Sequence, residues 1–171
     1  MQRRTQQLTL SAMFMALSIL FPMLFHAAGL GATFLPMFWP VAAAAFLLDS
    51  HLAISVGIFA PLLSSMLTGM PPLSPPILHV MIIELIILSG AVSLLYHRTR
   101  LGLMWILLIA LFISRMAFFF IAMVLAPLFG LPANFFSAGL VSLGLPGVIA
   151  IILIVPIVVS RLKHEPLFES R

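Results

Sequence analysis

Cysteine and charged residues are what this sequence lacks. None of its 171 residues is cysteine, which excludes disulfide bonds, thiol nucleophiles and thiolate metal sites. Only 7% of the residues are charged, whereas a soluble domain carries about 25%. So few charges cannot form a water-exposed surface, and 63% of the residues are hydrophobic. We therefore predict that lipid covers most of the exterior.

Long apolar runs predict an all-α membrane protein in which residues 1–171 form a single domain. A helix needs about 20 mainly apolar residues to cross the hydrocarbon core. Six such spans are predicted, near residues 8–27, 34–48, 51–67, 77–96, 103–127 and 138–160. The second and third are short and are separated only by Asp49, Ser50 and His51, which predicts a tight helical hairpin. Asp49 is a candidate cap for the third helix.

The positions of Lys and Arg predict that both termini are cytoplasmic. Basic residues precede the first span, separate the fourth from the fifth, and follow the sixth. They are Arg3, Arg4, Arg98, Arg100, Arg161, Lys163 and Arg171. The alternate segments 28–33, 68–76 and 128–137 contain neither Lys nor Arg, so the positive-inside rule places them outside. Because the basic residues are scattered rather than gathered on one face, the net charge of +4 does not indicate nucleic acid.

The segments predicted to lie outside are rich in Gly, Pro and small polar residues, notably 28–31, 68–76 and 130–134. Long ordered loops of this kind are often functional, although each could simply cap its helices. The presence of all three on one side favours an outward-facing site. Asn134 is a candidate hydrogen-bonding residue there, and a turn residue after Pro132 is an equally good interpretation.

Glu84 and Arg115 are the charged residues that lie well inside predicted spans. Each costs roughly 2.5–3.5 kcal/mol in the middle of a membrane, so both should face the protein interior or a wet cavity. One interpretation is that they pair and brace the fourth and fifth helices. A buried pair is often no more stabilising than apolar packing, so we favour a ligand site that includes them.

Two histidines are weaker candidates. His26 ends the first span and His79 begins the fourth, so either could line the mouth of a cavity or be an ordinary interfacial residue. His79 and Glu84 are five residues apart, which separates them by roughly 140° around a regular helix. No ligand spacing supports a metal site from His26, His79 and Glu84.

The sequence contains no motif that would supply energy or catalysis. The P-loop, GxSxG and HExxH patterns are all absent, so we predict no enzymatic activity, no cofactor and no bound metal. Transport against a gradient would then need a partner or an ion gradient. Ala12 and Ala16 are four residues apart on one face of the first helix, a spacing that lets another helix approach closely in lipid.

Several stretches resemble the substrate-binding S components of energy-coupling factor (ECF) transporters. They are the alanine pair in the first helix, FLPM at 34–37 before a short second helix, and LTGMPP at 67–72 followed by Glu84. The resemblance covers nearly the whole chain. It implies a multi-pass protein of a prokaryotic plasma membrane that binds a vitamin or related micronutrient from outside.

The resemblance also implies partners and site positions. The substrate would contact the outer loops and the fourth to sixth helices, and the alanine face would dock on a membrane T component that joins two cytoplasmic ATPases. The candidate substrate-binding residues are Glu84, Arg115, His79, His26 and Asn134, and the candidate interface residues are Ala12 and Ala16. The alternatives are a stand-alone ion-coupled transporter, which should show inverted repeats, and an intramembrane enzyme, which would need a catalytic cluster.

Overall fold

The computed structural model describes residues 2–73, 76–125 and 144–164. The regular elements within these residues are all helical, which confirms the all-α class. Several predictions fall elsewhere: the external segment 128–137 with Asn134, the first residues of the sixth span, and Arg171 lie outside the described residues.

The helices follow the predicted order. They are α1 Gln2–Ala27, α2 Gly31–Phe34, α3 Phe38–Leu47, α4 Ser50–Thr68, α5 Ile77–Arg98, α6 Leu103–Phe120 and α7 Leu145–Leu162. A π-helical turn, Ile121–Leu125, continues α6. Five elements are long and apolar enough to cross a membrane: α1, α4, α5, α6 with its π turn, and α7. In this order they match the first, third, fourth, fifth and sixth predicted spans.

The second predicted span, 34–48, is shorter than a membrane requires. Its helical part, α3, has 10 residues, or roughly 15 Å at the rise of an α-helix. The short helix α2 precedes it but does not continue into it, because Leu35 adopts a left-handed conformation with φ 49° and Pro36 has no N–H to donate. Five of the six predicted spans are therefore long helices, and the second, which was predicted to be short, contains a helix of about half their length.

The short helix α3 lies at the centre of the bundle, where lipid does not reach it. Nine of its 10 residues are buried, and it packs against α1, α4, α5 and α7. The run of four alanines at 42–45 allows these helices to approach closely. An element enclosed by other helices need not match the thickness of the bilayer, which explains how so short a helix is accommodated.

At the end of the bundle where α3 meets α4, a hydrogen bond joins the connecting turn to α1. The turn is tight, as predicted, with α3 ending at Leu47 and α4 beginning at Ser50. Asp49 occupies the N-cap position of α4, as predicted, but its side chain makes no capping hydrogen bond. The backbone N–H of Asp49 instead donates to Gln7 Oε1 of α1 at 3.1 Å. A side chain of α1 therefore helps to fix the turn.

Candidate functional site

A cavity of about 390 Å³ lies at the opposite end of the bundle. Its walls come from the end of α1, the segment 31–38, the connection from α4 to α5, the start of α5 and the end of α6. Among the described residues the lining is mostly apolar, with four polar or ionisable side chains: His26, Ser64, Glu84 and Arg115. A concave, largely apolar pocket with a few convergent polar groups is the usual form of a small-molecule site.

Glu84 and Arg115 meet in the wall of this cavity. Arg115 Nη2 lies 2.5 Å from Glu84 Oε1. The side chain of Arg115 is 15% exposed and that of Glu84 is 5% exposed. Glu84 shares the inner face of α5 with Val80 and Leu88, which are four residues away on either side and are also buried. Because α5 and α6 are consecutive and packed together, the two charges reach each other across that interface.

The contact leaves hydrogen-bonding capacity unused. Glu84 Oε1, Arg115 Nε and Arg115 Nη2 are buried, and none has a hydrogen-bond partner among the described residues. The two charged groups are close enough for an ion pair, but no N–H of the guanidinium points at the carboxylate oxygen. Unsatisfied buried polar groups cost roughly 1–3 kcal/mol each, and more when charged. Groups in this state have donors and acceptors free for a further hydrogen-bond partner.

Two aromatic rings surround the guanidinium. The Cζ atom of Arg115 lies 4.8 Å from the ring centroid of Phe38 and 5.6 Å from that of Phe118. Both distances are within the range of cation–π attraction, which offsets part of the lost hydration. Both rings also line the cavity, so Arg115 lies between the polar and the apolar parts of the cavity lining.

One wall of the cavity is held in place by serine hydroxyls. Ser64 Oγ donates to the Met70 carbonyl and Ser65 Oγ to the Pro71 carbonyl, each at 2.8 Å. Met70 and Pro71, together with Pro72, line the cavity. The residues after α4 therefore form a wall that is bonded to that helix.

The structure brings together three of the five candidate substrate-binding residues. His26 lines the cavity beside Glu84 and Arg115, and a Cβ atom at Gly31 would overlap its ring. His79 is exposed and is not part of the lining, as its angular separation from Glu84 on one helix would suggest. Asn134 lies outside the described residues. Among those that are described, no group of three or more His, Cys, Asp or Glu residues could hold a metal ion.

Three of the lining residues that sequence reasoning missed are Phe118, Ser64 and Phe38. Phe118 follows Arg115 by three residues, so helical spacing alone would place it on the same face. Ser64 carried a weak signal, because α4 contains other hydroxyl side chains, among them Ser55, Ser65 and Thr68. Phe38 carried no such signal, because it approaches Arg115 from a different helix.

The candidate interface residues lie away from the cavity. Ala12 and Ala16 are both exposed, whereas Phe14 and Ser18 on the same helix are buried. The inner face of α1 therefore packs on the bundle and the alanine face is left uncovered in the described part of the chain.

The comparison with protein families agrees with this arrangement. A family model described as "ECF transporter, substrate-specific component" matches residues 6–159, which include the helices α3–α6 and most of α1 and α7. Comparisons with curated proteins and with solved structures found no match.

Proposed function

The chain belongs to the family of substrate-specific components of ECF transporters, and from that premise we propose that it captures a vitamin or related micronutrient from outside a prokaryotic cell. The family is one of membrane transport proteins whose components bind a small molecule. In the proposed role the substrate occupies the cavity, and the protein releases it to the cytoplasm after docking on the T component. The role is binding and release, without catalysis.

The observation that carries this proposal is the buried pair of Glu84 and Arg115 in the cavity wall. Both charges face a largely apolar space with unused hydrogen-bonding capacity. A purely structural brace would gain from satisfying its own hydrogen bonds, whereas a binding site must leave some for its ligand. We propose that Glu84, Arg115 and His26 contact the substrate.

Substitution of the pair tests the proposal. The compound recovered from protein grown in rich medium would be identified by mass spectrometry and titrated by calorimetry. Glu84→Gln should weaken its binding more than tenfold, or by about 1.4 kcal/mol, because the variant removes the negative charge beside Arg115 and replaces one acceptor oxygen of the carboxylate with an NH₂ donor. Arg115→Met should have a similar effect if Arg115 contacts the compound.

His79→Gln is the matched control, since His79 belongs to the same helix as Glu84 but lies outside the cavity lining. It should bind the compound as tightly as the parent protein. Thermal unfolding without ligand separates binding from stability. If Glu84→Gln and Arg115→Met both bind normally and only unfold earlier, the pair is a brace and the proposed site is wrong.

The proposed partners follow from the family and from the surface of α1. ECF substrate-specific components work with a T component and ATPases. We infer that the exposed alanine face of α1 is where the T component docks, because small side chains allow close approach of helices in lipid. Two cytoplasmic ATPases would then supply the energy for transport.

A further inference from the structure

We propose that the ligand of the cavity is uncharged and presents a hydrogen-bond donor beside an acceptor, as the edge of a cyclic amide or ureide does. This inference rests on the proposed function, because it concerns what the cavity holds. Three properties of the chain support it: the charge available to the cavity, the chemistry of the Glu84–Arg115 pair, and the character of the remaining lining.

The described residues offer the cavity one negative and one positive formal charge. Apart from Glu84 and Arg115, the charged residues lie at positions 3, 4, 49, 98, 100, 161, 163, 165, 169 and 171. Those within the described helices and turns lie at the start of α1, the α3–α4 turn, the α5–α6 connection or the end of α7, all far from the cavity. The segments 74–75 and 126–143 contain no charged residue in the sequence, so they cannot change this balance.

The two charges cancel each other. Because Glu84 and Arg115 are in ion-pair contact, an anionic or cationic ligand would bring in a net charge with no formal charge left to oppose it. A zwitterion would add two further charges to an apolar cavity, each with a large desolvation cost. His26 is the remaining ionisable lining residue, and it is exposed at the rim. The balance favours an uncharged ligand.

The pair can bind a donor and an acceptor that lie side by side. An ionised carboxylate only accepts hydrogen bonds, and a guanidinium only donates them. A ligand carboxylate would suit Arg115 but repel Glu84, and a ligand ammonium would do the reverse. An N–H next to a C=O suits both, since the N–H can donate to Glu84 while the carbonyl accepts from Arg115.

The rest of the lining suits an apolar body of modest size. Apart from the four polar or ionisable residues, the described part of the lining consists of Gly, Ala, Pro, Leu, Ile, Val, Met and Phe. The volume of about 390 Å³ is near the lower end of the range of roughly 300–1,000 Å³ for ligand pockets. A small ring system with one polar edge fits this space.

Charge fractionation of the bound compound tests the inference even while the compound is unidentified. Protein purified from cells grown in rich medium is denatured, and the released compounds are passed at pH 7 over an anion exchanger and a cation exchanger in series. Mass spectrometry then compares the flow-through and the two eluates. Ala32→Trp provides the blank, since Ala32 lines the cavity and a large side chain there should obstruct it. Trp105→Leu is the control for an unaffected cavity, because Trp105 is exposed and does not line the cavity. This variant should release the same compound as the parent.

The expected result is one compound in the flow-through, present for the parent and for Trp105→Leu and depleted at least tenfold for Ala32→Trp and Glu84→Gln. Its fragmentation should reveal an N–H adjacent to a carbonyl. A specific compound retained on either exchanger, a zwitterion, or a neutral compound without that edge overturns this inference and leaves the proposed function intact. If the parent releases nothing that Ala32→Trp does not, capture of a micronutrient in this cavity fails, and the inference fails with it.

Discussion

Burial of Glu84 or Arg115 alone in the membrane would be energetically unfavourable, whereas the two can be buried together as a pair. A single charge in the middle of a membrane costs roughly 2.5–3.5 kcal/mol on insertion scales. In this protein both side chains point into the bundle, contact one another and border a cavity instead of lipid. Removal of either one therefore leaves the other as an unpaired buried charge, which is why loss of binding and loss of stability have to be measured separately.

Gly147 lies where the backbone of α7 contacts the backbone at the end of α2. A Cβ atom at this position of α7 would lie 2.6 Å from the carbonyl carbon and 2.7 Å from the carbonyl oxygen of Phe34. Backbone cannot move aside as a flexible side chain can, so Gly147→Ala should lower the free energy of unfolding by about 1–3 kcal/mol. Thermal unfolding of the ligand-free protein in detergent measures the change.

Gly90→Ala is the matched control for this substitution. Gly90 is also helical, but nothing lies within 4 Å of the position its Cβ atom would take. Alanine is favoured over glycine inside a helix by about 1 kcal/mol, so Gly90→Ala should leave stability unchanged or raise it. Equal melting temperatures for the two variants would show that α7 does not pack against the end of α2 as described.

At the scale of elements, α1 has two distinct faces. One face carries Phe14 and Ser18 and is buried against the bundle. Ala12 and Ala16 lie on a face that nothing in the described chain covers. Small side chains give little packing to a lone helix in lipid but permit a close contact with another helix.

Bulky substitutions on this face should prevent assembly without affecting ligand capture. Ala12→Trp and Ala16→Trp, singly or together, place a large ring where the T component is proposed to approach, so co-purification with it should fall at least tenfold. Ligand affinity should remain within twofold of the parent because the cavity is lined by other residues. Pull-down of the complex and calorimetry measure the two properties.

Leu153→Trp is the control for a large ring on a different exposed surface. Leu153 is 53% exposed on α7, so the substitution adds bulk without touching α1. It should leave assembly unchanged. Undiminished assembly of the double variant Ala12→Trp and Ala16→Trp would exclude this face as the interface.

At the scale of the whole molecule, the Lys and Arg residues at the helix ends lie opposite the cavity. Apart from Arg115 in the cavity wall, the Lys and Arg residues of the described helices are at the start of α1, the end of α5 and the end of α7, while the cavity is bordered by the opposite ends of α1, α5 and α6. The positive-inside rule then predicts that the cavity faces outward and that both termini are cytoplasmic.

Reporter fusions check this orientation. A reporter joined after Arg98 should be active only in the cytoplasm, and one inserted within 128–137 should be active only outside. The reason is the restriction of Lys and Arg to alternate connections of the chain. Either reporter on the wrong side would contradict the predicted topology and, with it, capture of substrate from outside.

The sequence by itself determined those properties that depend on composition and local order. The shortage of charge predicted an all-helical membrane protein, and the apolar runs located five long helices, with the bounds of α4, α5 and α6 with its π turn correct to within two residues. The depth of Glu84 and Arg115 in apolar runs identified them as a pair to be explained. These features follow from the chain because the thickness of a membrane and the cost of a buried charge act on every segment separately.

Only the tertiary structure decided what depends on contacts between distant segments. It showed that α3 is enclosed and only about half as long as a span, that Phe38 flanks Arg115, and that His26 lines the cavity while His79 does not. No local pattern encodes these facts, since each depends on how helices pack and not on the helix that carries the residue. The cavity is likewise a space left between elements, and its volume and lining exist only once the bundle has assembled.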